Sequence, residues 1–220
     1  MTVRTLRLPR PLGWRSGVAT DRGRVRPVNQ DACLARPQLG LWAVADGMGG
    51  HHDGARASRE IVEALAALPR PRLLGAGARR VYRALAKVNS QLLQAAQGAG
   101  EDIIGSTVTV LLTVGRHGAL IWAGDSRAYR LRDDRLEQLT VDHSRVQAMV
   151  DAAIVPAEEA ESHPLANVLL RAVGSEARLV LDQRVLEVRP GDRFLLCSDG
   201  LYRELMGCLL YTSPSPRDLN

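Results

Sequence analysis

Aromatic residues are scarce in this chain, at 4% of 220 residues, with a single phenylalanine. Single- and double-stranded nucleic-acid binders pair a basic stripe with stacking aromatics, and no such interleaving occurs here. The formal net charge of +5 is modest. Much of the excess sits near the N-terminus, in Arg4, Arg7, Arg10, Arg15, Arg22, Arg24 and Arg26. An Arg-rich composition explains it without a nucleic-acid partner. Cysteine is also sparse. Cys33, Cys197 and Cys208 are odd in number and lack CxxC spacing, which argues against a disulfide framework or a zinc site. No run is long and apolar enough to span a bilayer, and MTVRTLRLPRPLGW lacks the apolar core of a signal peptide. A reduced, cytoplasmic compartment without membrane attachment is therefore expected. Neither a GxGxxG nor a Walker pattern is present, which speaks against a nucleotide-binding fold, and there is no internal repeat.

What is there fits one domain of ordinary globular composition. Residues 1–13, with Pro9 and Pro11, read as a flexible lead-in. SGVATDRG (16–23), DACLA (31–35) and LGLWAVA (39–45) read as strands, and GMGGHHDG (47–54) as a glycine-rich loop. The period then changes. Ala57, Ile61, Leu65 and Leu68 recur at helical spacing up to Pro69. After the linker PRPRLLGAG, Val81, Leu85, Val88, Leu92 and Ala96 mark a second amphipathic helix. Strands follow at 107–114, 119–123, 128–132 and 135–139. A mixed, partly helical stretch covers 143–172, and strands return at 178–188 and 193–198. This order predicts antiparallel sheets with helices packed outside, not βαβ units.

Three of the apolar runs end in an aspartate touching a glycine: LWAVADG at Asp46-Gly47, LIWAGDS at Gly124-Asp125 and FLLCSDG at Asp199-Gly200. An acid at a strand end is costly if buried and purposeless if solvated. Three of them, each beside a residue that lets backbone come close, point to carboxylates converging on a hard divalent cation such as Mg²⁺, Mn²⁺ or Ca²⁺. RPVNQDA (26–32) adds Asp31 and Arg26, whose planar guanidinium matches an oxyanion bidentately. No His–acid pattern surrounds Ser126 or Ser198, and Cys197 lies inside an apolar run, so a covalent nucleophile is not expected.

The ordered motifs RPVNQD, VADGMGGH (44–51), GSTVTV (105–110), GDSRAY (124–129), LTVDHS (139–144), HPLANVLLRAVG (163–174) and LCSDG (196–200) resemble the metal-dependent Ser/Thr protein phosphatases of type 2C, in their bacterial form. The resemblance spans residues 14–206. It implies an α+β fold, a four-layer α-β-β-α sandwich of two antiparallel sheets flanked by helices, with two or three Mn²⁺ or Mg²⁺ ions in a cleft at one end. In this resemblance Asp46 bridges two metals, with the Gly47 carbonyl as a further ligand. Asp199 binds the second metal, and Asp125 with Asp199 holds a third, looser one. Asp31 holds metal-bound water, and Arg26 binds substrate phosphate. The implied activity is hydrolysis of phosphoserine and phosphothreonine on proteins by a monomeric enzyme, the expected partners being targets of bacterial Ser/Thr kinases. The alternative is a catalytically silent regulatory or binding module on the same fold. The retained acids and Arg26 favour the enzyme. A phosphatase for small phosphoesters is a third option. The Trp14 lead-in and the run GLWAVADGMGGHHDGARASREIVEAL also resemble phosphatases of type VI secretion loci.

Some positions stay open. Asp142 and His143 read equally as structural or functional. Members outside bacteria carry a histidine two residues after the bridging aspartate. Met48 stands there in this chain, and His51 is a weak substitute for it. Residues 144–172 correspond to the flap that tunes substrate choice, and Glu158, Glu159 and Glu161 read as a solvated face. The family's final motif, an Asp-Asn pair whose Asp binds the second metal, has no counterpart here. After LCSDGLYREL the expected helix and final strands do not appear. Residues 207–220, GCLLYTSPSPRDLN, read as a non-family tail of artefactual origin. The expectation is a C-terminally incomplete phosphatase domain with weakened activity.

Overall fold

The β-branched run at 108–114 forms the centre of the molecule because its two faces meet two different partners. In a computed structural model, the described residues are 12–24, 27–49, 53–99 and 103–209, with backbone only at 99 and 205–209. Arg26, His51, His52 and the segments 1–11 and 210–220 lie outside them.

Nine strands are described. They are β1 (Asp31–Arg36), β2 (Leu41–Met48), β3 (Gly105–Ser106), β4 (Val108–Val114), β5 (His117–Ala123), β6 (Arg127–Arg132), β7 (Arg135–Gln138), β8 (Asp182–Glu187) and β9 (Arg193–Cys197). One sheet runs β1-β2-β4-β5-β8, with β3 paired to β2; the other runs β7-β6-β9. Every pairing is antiparallel. Four helices are α1 (Asp53–Ala66), α2 (Leu74–Ala99), α3 (Arg145–Asp151) and α4 (Asp199–Leu209).

Alternation along the strands sorts side chains between layers. Ala43, Ala45, Val110, Leu112, Ile121 and Ala123 face α1 and α2, where they meet Ile61, Leu65, Leu85 and Leu92. Their neighbours Leu111, Leu120 and Trp122 face the space between the sheets, where they meet Ala128 of β6, Leu139, Leu186 of β8 and Val188 just beyond it. On the far side of that sheet Tyr129 and Cys197 pack against Tyr202 of α4. The layers are thus α-β-β-α, and the α+β sandwich expected from the sequence is the fold observed.

Four local expectations are corrected. Residues 16–23 form no strand; they are exposed, and no ladder partner lies beside them. Apolar alternation gives a segment the means to pair, but a strand needs a free edge in register. Trp14, just before, instead docks edge-on against Trp42, with ring centroids 4.8 Å apart. Helix α2 begins at Leu74, inside the segment read as linker, because Leu74 and Ala78 already reach the helix-facing core. The strand read from 178 starts only at Asp182. Leu179 leaves the sheet to cover α2, and its carbonyl accepts from the Tyr82 hydroxyl at 3.1 Å. Finally, a helix does follow β9. DGLYRELMGCL forms α4, with Asp199 in its first turn, where a carboxylate complements the helix dipole.

Candidate metal centre

Antiparallel register decides which acids meet. In the β1–β2 ladder Asp31 lies opposite Asp46, so two residues fifteen apart in sequence become cross-strand neighbours. The two carboxyl groups thus stand as opposed negative charges, and the charge of Asp31 helps raise the Asp46 carboxyl. Asp125 enters from the β5–β6 turn and Asp199 from the start of α4, immediately after β9. Ser198 reaches across from that junction, its Oγ donating to Asp31 Oδ2 at 2.7 Å. All four acids therefore gather at one end of the sandwich, and Asp46, Asp125 and Asp199 line a cleft of about 680 Å³ with Met48, Arg171 and Arg203.

Backbone around Asp46 is held by a ladder of hydroxyls that the sequence reading missed. The Asp46 N–H donates to Thr107 Oγ1 at 3.0 Å, and its carbonyl accepts from Thr107 N at 2.8 Å and Ser106 Oγ at 2.9 Å. Thr107 Oγ1 also shares a hydrogen bond with Ser126 Oγ at 2.7 Å, and Thr109 Oγ1 donates to the Ser126 carbonyl at 2.6 Å. This ladder ties the Asp46 strand end to the Asp125 turn. Its only signal in the sequence is the Ser/Thr spacing within GSTVTV. Two glycines permit the close approach. Gly124 has φ +105, and a Cβ there would lie 2.6 Å from the Thr107 side chain. A Cβ on Gly47 would meet the Gly54 carbonyl oxygen at 1.9 Å.

Electrostatics makes this cluster costly without a cation. Burial first, then the charges of Asp31 and Asp199, push the Asp46 carboxyl up to about 8. Burial and the Asp199 charge raise Asp125 to about 6, with Asp142 adding to the effect. Arg203 offers partial relief, its Nε standing 3.5 Å from Asp199 Oδ2. Among the described residues, no three His, Cys, Asp or Glu side chains close around a single point where one ion would sit. A hard cation such as Mg²⁺ takes only one or two protein carboxylates and keeps several waters, so a multi-ion centre does not need such a closed group. Asp31 and Asp46, opposed in the β1–β2 ladder, form a carboxylate pair that calls for positive charge. The donor set, all oxygen and acidic, suits Mn²⁺ or Mg²⁺.

Asp142 and His143 prove to have structural partners. Arg127, itself 9% exposed, donates to Asp142 Oδ1 from Nε at 3.1 Å and to Oδ2 from Nη2 at 2.8 Å. Its guanidinium lies 3.8 Å over the Tyr202 ring. Of the flap acids, Glu158 and Glu159 are exposed, whereas Glu161 accepts from Arg127 Nη1 at 3.2 Å. His143 buttresses the Asp125 turn from behind.

Comparison with known proteins then settles the family. The model for protein phosphatase 2C matches residues 22–214. The chain belongs to the protein phosphatase 2C family. It is 41% identical over 191 residues to the serine/threonine protein phosphatase PstP of Mycobacterium tuberculosis, an alignment covering 85% of this chain and 36% of that protein. The chain thus spans little more than a third of that relative's length. Among solved structures it is similar to PppA, a regulatory component of type VI secretion in Pseudomonas aeruginosa, at 44% identity and a TM-score of 0.82, covering 88% of this chain and 80% of that one. It is also similar to the PstP catalytic domain in complex with two manganese ions, at 36% identity and a TM-score of 0.72, covering 83% and 76% of the two chains. Among the described residues no helix is long and apolar enough to cross a membrane.

Proposed function

We propose that this chain is the catalytic domain of a metal-dependent protein phosphatase that hydrolyses phosphoserine and phosphothreonine. The observation that carries the reading is the convergence of Asp31, Asp46, Asp125 and Asp199, with the Asp46 carboxyl pushed up to about 8 by burial and by its acidic neighbours. Such a cluster is stable as a set of carboxylates only around positive charge. Asp46 would bridge two ions with the Gly47 carbonyl beside it, Asp199 would hold the second, and Asp125 with Asp199 a third. When bound, Mn²⁺ or Mg²⁺ supplies the positive field that a phosphomonoester dianion needs and Lewis acidity toward water.

The chain's own residues do the rest. The Ser198 hydroxyl donates to Asp31 Oδ2 and so fixes that carboxylate, which would hold water beside the ions. Arg26 would clamp the phosphate oxygens and favour their charge as it develops. The Ser106–Thr107–Ser126 ladder keeps Asp46 and Asp125 at fixed separation, so the site contributes positioning and electrostatics and no covalent nucleophile. Phosphorylated proteins, the targets of bacterial Ser/Thr kinases, are the substrates this assigns. The likeness to PppA supports a place in type VI secretion control. Cys33 and Cys197, both free, suit a reducing cytoplasm.

The test is Mn²⁺-dependent phosphate release from a phosphothreonine peptide. Asp46→Asn is expected to abolish it and Arg26→Ala to raise KM. Metal-dependent turnover retained in Asp46→Asn would defeat the assignment.

A further inference from the structure

The turn that presents Asp125 is short, glycine-initiated and strained at Gly124, so something must hold it. Beside the Thr107 and Thr109 hydroxyls that hold Ser126, His143 holds the turn at Gly124 through its side chain and its backbone. The Gly124 N–H donates to His143 Nδ1 at 3.2 Å, and the His143 N–H returns a bond to the Gly124 carbonyl at 3.0 Å. Because a backbone N–H can only donate, Nδ1 must be the unprotonated nitrogen and Nε2 must carry the hydrogen. Nε2 lies 3.3 Å from both Asp182 Oδ2 and Arg171 Nη1; since a guanidinium cannot accept, the Nε2 hydrogen goes to Asp182, whose Oδ1 accepts from Arg171 Nη1 at 2.7 Å. The ring is 8% exposed and stacked on Trp122, with 9° between planes. Trp122 is itself pinned by its Nε1–H to the Val141 carbonyl at 2.9 Å. The His143 carbonyl accepts from Leu170 N at 2.7 Å, one residue before Arg171. Leu170 and Arg171 form part of the cleft wall.

We propose that His143 is a positioning residue, a neutral tautomer-locked bracket that fixes the Gly124-Asp125 turn and joins it to the Arg171 wall of the cleft through Asp182. Burial lowers His143 below the usual histidine range, which agrees with a neutral ring. The arrangement is the one seen around metal sites, where a hydrogen-bonded outer group orients a ligand it does not replace. The relation of His143 to metal binding rests on the reading of Asp125 as a metal ligand; its hold on the turn does not.

The experiment compares wild type with His143→Ala, His143→Asn and His143→Gln. Asn places a carbonyl oxygen near the Nδ1 position and can accept from Gly124, whereas Gln mimics the Nε2 end and cannot. Hydrogen–deuterium exchange of the peptide covering 122–127 is measured in EDTA, Mn²⁺ binding by calorimetry, and kcat and KM on a phosphothreonine peptide. In His143→Ala the Gly124 amide is expected to exchange about tenfold faster, the loss of one buried hydrogen bond. Mn²⁺ affinity or kcat is expected to fall by about 10–100-fold, with KM little changed. His143→Asn is expected to recover most of the protection and His143→Gln little of it. Wild-type exchange in His143→Ala, or equal behaviour of the Asn and Gln variants, would overturn the proposal. If His143→Ala fails to fold, the order of Asn against Gln decides. Absence of Mn²⁺ binding in the wild type would instead refute the metal-centre reading and leave the exchange result to judge the bracket.

Discussion

Asp46-Gly47 and Asp199-Gly200 look alike in sequence, yet adding a methyl group to the two glycines should have opposite results. At Gly47 a Cβ would stand 1.9 Å from the Gly54 carbonyl oxygen, 2.3 Å from its carbon and 2.8 Å from the Gln30 carbonyl oxygen. All three are backbone atoms, so no rotamer change relieves the clash. Gly47 N–H also donates to Gln30 O at 3.0 Å, which means β2 cannot withdraw without breaking that bond. Overpacking usually costs about 1–3 kcal/mol, and contact with immobile backbone on two sides puts Gly47→Ala at the upper end. For a domain of this size each kcal/mol moves Tm by about 2–4 °C, so a fall of about 6–12 °C is expected. At Gly200 a Cβ meets nothing within 4 Å, and the residue lies in the first turn of α4. There the change removes a glycine from a helix and should stabilise by up to about 1 kcal/mol. Thermal melts of both variants by circular dichroism, with EDTA and again with Mn²⁺, read the contrast. Gly47→Ala melting with the wild type, or Gly200→Ala melting lower than Gly47→Ala, would refute the reasoning. So would full Mn²⁺-dependent turnover by Gly47→Ala, since the displaced strand carries Asp46.

Arg127→Met leaves Asp142 charged and buried without its partner, and urea unfolding should show a loss of about 3–5 kcal/mol; a loss near zero would mean that Asp142 finds another donor. Thr107→Val strips the acceptor from the Asp46 N–H and the partner from Ser126, a cost of about 1–3 kcal/mol that Thr107→Ser should largely restore. In metal-free protein the Asp46 carboxyl is raised from 3.8 to about 8, so across that window the folded chain holds a proton that the unfolded chain has lost. Stability in EDTA should therefore fall as pH rises through the window; Asp46→Asn should flatten the profile, and a Tm that climbs from pH 5 to 8 in the wild type would contradict the assignment.

Much of the fold could be read from the sequence because period reports which way a side chain faces. The β-branched run TVTVLLTV and the apolar ALIWA marked buried strands, and the helical spacing of Val81, Leu85, Val88 and Leu92 marked the stripe that buries against them. The misreadings share a cause. Residues 16–23 read as a strand but pair with no neighbour, and Leu179 has strand chemistry but packs onto α2. Local pattern states what a segment is able to do, and the neighbours decide whether it does so. The site divides in the same way. Asp46, Asp125 and Asp199 stand out because an acid at the end of an apolar strand has no cheap explanation, whereas Asp31 in its polar RPVNQDA cluster was legible only through the family resemblance. Arg26, named with them, lies outside the described residues.

By itself the sequence determined the kinds of element, their order and the acids at the strand ends, since these follow from side-chain period and from the cost of placing charge beside apolar runs. Only the tertiary structure decided what supports those acids. Ser198 reaches Asp31 across 167 positions and Thr107 reaches Ser126 across 19. His143 and Arg127 act on partners brought near by sheet register and not by sequence. The two Asp-Gly pairs differ for the same reason: the space around a missing Cβ is set by the backbone that folds against it.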